Sequence, residues 1–400
     1  MYFQTHSDYE CSGCTACMNI CAHHAITMQE NKEGFLYPVR DVVKCINCGL
    51  CERICPLEHP VYKNSQPAVY AAYDKNARTG SSSGGLFFTI ASHVIRRGGM
   101  VFGAAYVDGL KVKHVQARTI AELETLRGSK YVQSDLGDCF KQIKEELQKG
   151  TLVYFSGVGC QVAGLYAYLR KNYENLITSD IVCHGVPSQR MFDMHLSHIE
   201  KKHKSKVIGY SFRDTRYWLT REEASLANGK KKHEYDGNKS PFLYAFGLGY
   251  TSRMSCFRCP FAKVPRQGDI SLADYWGVDA NRIDTSKGVS LVLLNNLKGK
   301  DIWEAVKDNV VYFESSLQDC IKNNPNVVRP TIEPEFRKNF FRILNQKGYE
   351  PMTRKELVCP PAMRNKRIER IMLLRNLHIY QPYAWLKHKA KTMLVALKLK

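Results

Sequence analysis

The chain has no long apolar run and few acidic residues for its size. No segment approaches the roughly 18 consecutive apolar residues that a membrane-spanning helix needs, and residues 1–10 lack the basic and apolar pattern of a secretory signal. We therefore expect a cytoplasmic protein, in which thiols stay reduced and a disulfide framework is not expected. Acidic residues number 38 against 58 Lys and Arg, so the formal net charge is +20.

Cysteine, in contrast, is abundant and ordered. Eight of the 15 cysteines form two runs of the same spacing, C-x2-C-x2-C-x3-C, and Pro56 follows the second run. This is the spacing of bacterial two-cluster ferredoxins, in which the fourth cysteine of each run binds the other cluster. We therefore assign one 4Fe-4S cluster to Cys11, Cys14, Cys17 and Cys55, and the other to Cys45, Cys48, Cys51 and Cys21.

Zinc sites are the alternative for closely spaced cysteines. They are usually built from separated pairs, and nothing about them calls for three cysteines in close succession in both runs. Between the runs, residues 25–28 and 35–37 have strand-like composition around the polar turn 30–34, as a small hairpin between two cluster loops requires. Residues 1–60 are therefore predicted to form a ferredoxin module of the bacterial type.

After a proline-containing linker at residues 58–67, predicted strands and helices alternate. Strands at 68–73, 100–107, 151–155 and 176–182 alternate with helices at 86–97, 120–125, 139–149 and 161–171. This alternation indicates an α/β domain with a mostly parallel core. From residue 206 the strands lengthen (207–213, 270–272, 289–294) and helices become fewer. We predict an α+β fold made of the ferredoxin module (1–60), an α/β core (68–205), a mixed second lobe (206–330) and a basic helical tail (331–400).

The excess of Lys and Arg over acidic residues predicts acidic partners. The candidates are a small acidic ferredoxin or flavodoxin, an anionic organic substrate, a membrane surface and nucleic acid. No nucleic-acid-binding motif occurs, so we expect no nucleic acid partner. Residues 361–400 contain ten Lys or Arg and one acid, Glu369. Their basic amphipathic pattern over 385–400 fits a helix on a membrane or a partner, and it fits a solvated terminal helix as well.

A Ser/Gly turn at residues 81–85 precedes the predicted helix 86–97. Glycine allows close backbone approach and a helix N-terminus favours phosphate, although Ser and Gly also simply cap helices. Further motifs follow in order: Gly128–Ser134, Phe155–Leu165, Cys183–Ser188, Phe212–Asp214, Cys256–Pro260 and Asp269–Gly277. Together they resemble the coenzyme F420 hydrogenase/dehydrogenase beta-subunit family, which includes chlorophyll-pathway reductases. The resemblance covers about residues 68–300.

The resemblance implies an FAD-binding reductase whose clusters exchange electrons with the flavin. It places flavin contacts at Ser82, Ser83, Gly84, Gly85, Lys130, Gln133, Ser134, Gly157, Gln161 and Asp274. It also implies a third 4Fe-4S cluster on Cys160, Cys183, Cys256 and Cys259, of which only the last two have ligand spacing visible in the sequence. Buried inert thiols are the alternative for Cys160 and Cys183. Cys139, Cys320 and Cys359 match nothing in the family and are expected to be structural.

Two departures from the family pattern prevent a transfer of substrate specificity. Val158 and Gly159 stand where the family usually has Thr-Pro before the cysteine of its CQ motif. Residues 215–218 replace a lysine and a Gly-Trp pair after Phe212–Asp214.

The favoured mechanism passes single electrons from a ferredoxin-like donor through the clusters to FAD and on to an organic substrate as hydride. His184 and Lys130 are the candidate proton donors, although His184 would equally orient a ligand loop. Many bacterial relatives are linked with polysaccharide biosynthesis, which suggests a nucleotide sugar or glycan precursor as substrate. Three alternatives stay open: reversed flow from a reduced deazaflavin to the clusters, a non-catalytic electron-transfer subunit, and a redox-sensing scaffold.

Overall fold

The computed structural model describes residues 2–60, 64, 66–215 and 218–353. The chain divides into two compact units, Met1–Tyr349 and Glu350–Lys400, and the description of the second covers the helix Glu350–Thr353. The predicted amphipathic helix at 385–400 and Cys359 lie outside the described residues. Within the described residues, no helix is both long enough and apolar enough to cross a bilayer.

The N-terminal region is a small cluster module built around one hairpin. Its elements are α1 (Tyr2–Thr5), α2 (Ala16–Ile20), β1 (Ile26–Glu30), β2 (Leu36–Arg40) and α3 (Leu50–Arg53). Strands β1 and β2 pair antiparallel, with Ile26 opposite Arg40, which confirms the predicted hairpin. The Asn31 side chain accepts hydrogen bonds from the amides of Glu33 and Phe35 and fixes the turn. The hairpin therefore separates the two cysteine loops.

A mixed sheet of eight strands forms the core of the larger part of the chain. Its strands are β3 (Ala68–Asp74), β4 (Met100–Val107), β5 (Lys111–Ala117), β6 (Val153–Val158), β7 (Leu176–Ile181), β11 (Ile270–Asp274), β12 (Ser290–Leu294) and β13 (Val310–Ser315). Their order across the sheet is β13-β3-β12-β11-β7-β6-β4-β5. Parallel pairing is confined to the four central strands β4, β6, β7 and β11. The prediction of a mostly parallel core is therefore wrong, because antiparallel strands extend the sheet on both sides.

A second sheet and the helices complete the fold. The second sheet has the order β10-β9-β8 and consists of β8 (Val207–Asp214), β9 (Leu219–Leu226) and β10 (Lys231–Asp236). The remaining helices are α4 (Leu86–Arg96), α5 (Ile120–Leu126), α6 (Cys139–Gln148), α7 (Gly159–Leu169), α8 (Gln189–His203), α9 (Pro241–Gly247), α10 (Leu297–Val306), α11 (Leu317–Ile321), α12 (Arg337–Lys347) and α13 (Glu350–Thr353). Strands from both predicted core segments join the large sheet, while the boundary at residue 206 stays a prediction.

The central parallel strands position the site. Apolar residues one helical turn apart, Leu86, Ile90 and Val94, bury one face of α4 against this sheet. Strands β6, β7 and β11 run in the same direction, so their carboxyl ends meet at one edge. Ligands of open sheets with parallel strands bind at that edge. The motifs around Cys160, Cys183 and Asp274 all lie at these strand ends.

Candidate iron-sulfur sites and the adjoining cavity

Thiols of the ferredoxin module gather around one cavity, which we call the first-cluster cavity. Its lining includes Cys11, Cys14, Cys17, Cys51 and Cys55. Burial raises the pKa of the Cys14 thiol to about 12, and the charges of Cys55 and Cys11 add to the rise. Burial and the charges of Cys14, Cys11 and Cys55 likewise raise the pKa of Cys17. Cys51 and Cys55 of the second run thus lie beside the first three thiols, and the assignment of Cys55 as the fourth ligand by crossed ligation stays a prediction. The Cys21 thiol instead accepts a hydrogen bond from the Ala25 amide at 3.4 Å.

The second cysteine loop lies closer to solvent than the first. Left-handed backbone at Asn47 and Gly49 (φ 56° and 69°) turns the chain into α3 around Cys48, which is exposed. Arg40 approaches this loop, because its Nη2 lies 3.8 Å from the Cys51 sulfur and 2.7 Å from Glu52 Oε1. A cluster held by this loop would therefore have an edge facing the protein surface.

The four core cysteines line a second cavity, the core-cluster cavity. Cys160 is in the first turn of α7, Cys183 follows β7, Cys256 lies in the 3-10 helix Met254–Arg258, and Cys259 caps that helix. Burial and the charges of the other three thiols raise the pKa of Cys160 well above its ordinary value. Burial also raises the pKa of Cys183 to about 11. The fold therefore brings together four thiols of which the sequence pairs only two by spacing.

The surroundings of the core-cluster cavity fit an iron-sulfur cluster. Arg266 lines the cavity and is almost fully buried; its Nη2 donates to Asp180 Oδ2 at 2.5 Å. The Nε and Nη1 atoms of Arg266 are buried without a hydrogen-bond partner. Unpaired buried N–H groups are costly, and the sulfur atoms of a cluster accept such hydrogen bonds. In the described part of the chain, no three His, Cys, Asp or Glu side chains converge closely enough to hold a single metal ion.

A second guanidinium, that of Arg253, joins the ferredoxin module to the core. Arg253 is fully buried, and it donates hydrogen bonds to the carbonyl oxygens of Cys11 (2.7 Å) and Leu36 (2.9 Å) and to Gln133 Oε1 (3.2 Å). All three acceptors are neutral. The charge of Arg253 also counteracts the raised pKa of Cys256 in the core-cluster cavity. Arg253 therefore places one positive charge near both cluster sites.

The cavities are arranged in series. Ser12 and Leu57 line both the first-cluster cavity and the core-cluster cavity. Val158, Cys183 and Gly185 line both the core-cluster cavity and a third, larger one of about 840 Å³, the large cavity. A cluster held by the core cysteines would therefore stand between the first cluster and the large cavity.

The large cavity collects the residues that the sequence marked as flavin contacts or proton donors. Its lining includes Ser82, Ser83, Gly85, Lys130, Gln133, Ser134, Gly157, Gln161, His184 and Asp274. Gly84 packs instead on the sheet, where a Cβ atom would lie 2.3 Å from the Ala72 oxygen and 2.7 Å from the Ser290 nitrogen. Its lack of a side chain lets the start of α4 approach the strands.

The N-terminus of α4 opens onto the large cavity. Gly85 precedes the helix with left-handed backbone (φ 88°), and no side chain caps the helix. Leu86 and Phe87, its first two residues, line the cavity. The hydroxyls of Ser82 and Ser83 are used within the protein, because Ser82 accepts from the Ser129 amide and Ser83 donates to the Val289 oxygen. The backbone amides of the helix end favour an anion, and the Ser82 O–H, which is not used in the hydrogen bond from Ser129, can donate to it as well.

Lys130 and His184 are the titratable groups predicted to handle protons. Desolvation lowers the pKa of Lys130 to about 7, and its Nζ donates to the carbonyl oxygens of Arg127 (2.8 Å) and Thr125 (3.1 Å). Desolvation also lowers the pKa of His184, against an opposing effect of the Asp274 carboxylate. Lys130 would therefore exchange a proton near neutral pH.

A buried polar network supports the wall of the large cavity. Ser134 Oγ is 2.9 Å from His114 Nδ1 and accepts from Gln161 Nε2 at 2.9 Å. His114 Nε2 is 3.0 Å from the Ser156 oxygen, so this nitrogen carries the proton. Desolvation lowers the pKa of His114 to about 4, which keeps the ring neutral. Ser134 and Gln161 are thus held in place by a histidine that the sequence analysis did not identify.

A buried ion pair closes another part of this cavity. Asp274 accepts hydrogen bonds from Arg213 Nη1 at 2.9 Å and from Trp218 Nε1 at 2.8 Å. The Trp218 ring stacks on Trp276 with centroids 4.9 Å apart. Arg213 belongs to the Phe212–Asp214 motif that contributes to the resemblance, and its pairing with Asp274 gives that motif a role. The described lining of the cavity contains four Arg or Lys residues and one acid, Asp274, so its charge suits an anionic ligand.

Comparisons with known proteins agree with two parts of this architecture. Residues 150–319 match the family model for the C-terminal part of the coenzyme F420 hydrogenase/dehydrogenase beta subunit. Residues 10–58 match the model of a 4Fe-4S dicluster domain, which confirms the prediction of clusters in the N-terminal module. The comparison with curated proteins gave no match. Among solved structures, the xenon-derivatised F420-reducing NiFe hydrogenase complex from Methanosarcina barkeri contains a chain that is 17% identical, with coverage of 73% of this chain and 92% of that one and a TM-score of 0.44.

Proposed function

We propose that this chain, whose residues 150–319 match the model for the C-terminal part of the coenzyme F420 hydrogenase/dehydrogenase beta subunit and whose residues 10–58 match a 4Fe-4S dicluster model, is an iron-sulfur, flavin-dependent reductase. A one-electron donor would supply the N-terminal clusters, and an organic substrate in the large cavity would receive a hydride. The observation that carries this proposal is the series of cavities, in which Ser12 and Leu57 join the first pair and Cys183 and Gly185 join the second.

The residues of the large cavity fit an FAD molecule. A cavity of about 840 Å³ lies within the size range of cofactor sites. The uncapped N-terminus of α4 would hold the phosphates, and the excess of Arg and Lys in the lining would balance their charge. FAD, when bound, supplies the conversion between one-electron and two-electron chemistry.

The protein's own groups would manage the proton that accompanies the hydride. Lys130, with a pKa of about 7, is both protonated and deprotonated in useful amounts near neutral pH, as a general acid requires. His184 lines the same cavity, and desolvation lowers its pKa, which makes its protonated form the less available donor. We assign the proton-donor role to Lys130 first and to His184 second.

The cofactor content tests the proposal directly. We expect about twelve iron atoms, from three cubane clusters, and one FAD per chain after anaerobic purification. The double substitution Cys256→Ser and Cys259→Ser should leave about eight iron atoms, because the N-terminal clusters remain. Cys320→Ser is the control, since Cys320 is buried and lines none of the three cavities, and its loss should leave the iron content unchanged. A count of eight iron atoms in the wild-type protein would contradict the prediction of a core cluster. A colourless protein without flavin would contradict the reductase proposal.

The family description favours a second candidate, in which electrons flow the other way. Its name refers to coenzyme F420, so a reduced deazaflavin would donate hydride in the large cavity and the clusters would export electrons. Anaerobic mixing of the holoprotein with reduced deazaflavin distinguishes between the two directions of electron flow. Rapid bleaching of the clusters by the deazaflavin, without reduction of any organic acceptor by reduced ferredoxin, would support the second candidate.

The proposal also concerns the class of substrate and the pathway to which it belongs. The positive lining of the large cavity suits a small anionic substrate, and the family resemblance suggests a nucleotide sugar or glycan precursor. Turnover by the isolated chain would support catalysis, whereas turnover that requires a further subunit would support a relay role.

A further inference from the structure

The second cysteine loop presents an apolar patch to solvent. Val42 is 81% exposed, Val43 92% and Ile46 63%, and Val39 at the end of β2 is 42% exposed. Val43 is the most exposed large apolar side chain in the described residues, and Val42 is second. Single exposed apolar residues need no explanation, but four within eight positions mark an interaction site. We call these four residues the valine patch.

The loop that carries the valine patch is held rigidly. Asp41 Oδ1 accepts hydrogen bonds from the amides of Val43 (2.9 Å) and Lys44 (3.3 Å), and the Asp41 carbonyl accepts from the Cys45 amide (3.0 Å). This Asx-type turn fixes the backbone while the side chains of Val42 and Val43 point outward. The patch is therefore a formed surface that would lose little entropy on binding.

The valine patch lies on the same loop as two thiols that are predicted to bind the second cluster. Cys45 precedes Ile46, and Cys48, two residues later, is exposed. Electron transfer weakens steeply with distance, so a partner centre has to sit against the surface where the cluster is nearest to solvent. Electron-transfer complexes use small interfaces, which a patch of four residues with a polar rim provides.

The charges around the patch indicate the partner. Lys44, between Val43 and Cys45, is exposed, and so is Arg53 at the end of α3, while the Asp41 carboxylate is engaged in the turn and lies 3.7 Å from the Lys44 ammonium. The Glu52 carboxylate is paired with Arg40 at 2.7 Å. We propose that the valine patch is the docking site of a small soluble electron-transfer protein that surrounds its own centre with apolar side chains and an acidic rim. This inference rests on the proposed function, because it assumes that electrons pass through the N-terminal clusters.

Anaerobic stopped-flow reduction of the reconstituted holoprotein tests the patch. The probe is a pre-reduced, small acidic two-cluster ferredoxin, and the reference reductant is the methyl viologen radical, which needs no docking surface. The double variant Val43→Ser and Ile46→Ser should lower the second-order rate with ferredoxin about tenfold and leave the rate with viologen unchanged. Ile208→Ser is the matched control, because Ile208 is 64% exposed on β8, outside the cluster module.

Each outcome bears on the proposal. An unchanged ferredoxin rate in the double variant would overturn it, and so would an equal loss in Ile208→Ser, because surface apolarity in general would then explain the effect. If the double variant loses iron, Val42→Thr with Val43→Thr keeps the side-chain shape while making the patch polar, and the same tenfold loss is expected.

A wild-type dimer that the substitutions convert to a monomer would assign the patch to a second copy and contradict the proposal. Failure of reduced clusters to pass electrons to flavin would contradict the proposed function, whereas the ferredoxin rate alone decides the docking site.

Discussion

At the scale of single residues, buried positive charge is the feature that relates the cluster sites to the rest of the protein. Arg253 and Arg266 are both almost fully buried. Arg266 has Asp180 as counter-ion, whereas the hydrogen bonds of Arg253 go to neutral oxygens. A buried charge without an opposite charge is unfavourable. Anionic clusters on both sides of Arg253 would supply the missing negative charge.

Removal of the Arg253 charge should lower the reduction potential of the adjacent clusters. Reduction adds an electron, and a nearby positive charge stabilises the reduced form. We expect Arg253→Met to weaken this stabilisation by an amount on the order of 1–2 kcal/mol, or roughly 40–90 mV for one electron. Arg253→Lys keeps the charge and should shift the potential less. Redox titration followed by electron paramagnetic resonance measures the midpoints, and equal midpoints in Arg253→Met and wild type would contradict the idea.

Lys130 should titrate several pH units below an ordinary lysine. Its folded-state pKa of about 7 means that the neutral, nucleophilic amine forms as the pH rises through 7. Brief acetylation with acetic anhydride between pH 5.5 and 9.5, read by mass spectrometry, should give a half-maximal rate for Lys130 near pH 7. Lys44, whose side chain is 62% exposed, is the internal control for the reactivity of a surface lysine. Parallel profiles for the two lysines would exclude a proton-transfer role based on a lowered pKa.

At the scale of elements, the residues of the site lie at the carboxyl ends of the central strands. The strength of the local sequence pattern explains which elements could be predicted. Buried strands such as β4 and the ligand loops around the cysteines carry strong local signals, and both were predicted. Strand β5 was missed although its residues alternate between exposed and buried from Lys111 to His114, a period-two pattern that indicates a strand. The polar strands β9 and β10 have little apolar content, so pairing with β8 rather than local sequence defines them.

Contacts between elements could not be predicted from the sequence, for a different reason. Cys160 and Cys183 are far apart in the chain from Cys256, and no local spacing relates them. Their meeting depends on the order of β6, β7 and β11 in the sheet. His114 was missed because a lone histidine on a strand has no motif, and its contact with Ser134 exists only in the folded sheet.

The packing of α7 on the first cysteine loop depends on one helical glycine. A Cβ atom at Gly164 would lie 2.9 Å from the Cys14 Cβ and 3.1 Å from its sulfur. Gly164→Ala should therefore displace Cys14, cost about 1–3 kcal/mol by overpacking, and lower the iron content by about four atoms as one cluster is lost. Gly247→Ala in α9 is the control, because a Cβ atom there meets nothing within 4 Å. Equal iron content in both variants would show that the loop adapts.

At the scale of the whole molecule, a series of adjoining cavities occurs in a chain with a large excess of positive charge. The formal net charge is +20; three clusters and a flavin dinucleotide of about −2 each would reduce it to about +12. A field of that size attracts acidic proteins from a distance and raises their association rates. The valine patch then supplies the short-range contact at the exposed cluster, so long-range attraction and local docking are separate contributions.

These two contributions predict different responses to salt. The reduction rate of the holoprotein by a small acidic ferredoxin should fall about tenfold or more between roughly 0.02 M and 0.5 M NaCl, because the Debye length shrinks and screens the attraction. The rate with the cationic methyl viologen radical should stay constant or rise, since screening weakens repulsion. The Val43→Ser and Ile46→Ser variant should be slower at every salt concentration with the same slope, because its charge is unchanged. A ferredoxin rate that does not depend on salt would mean that the basic surface plays no part in electron entry, and the acidic-partner assignment would then be wrong.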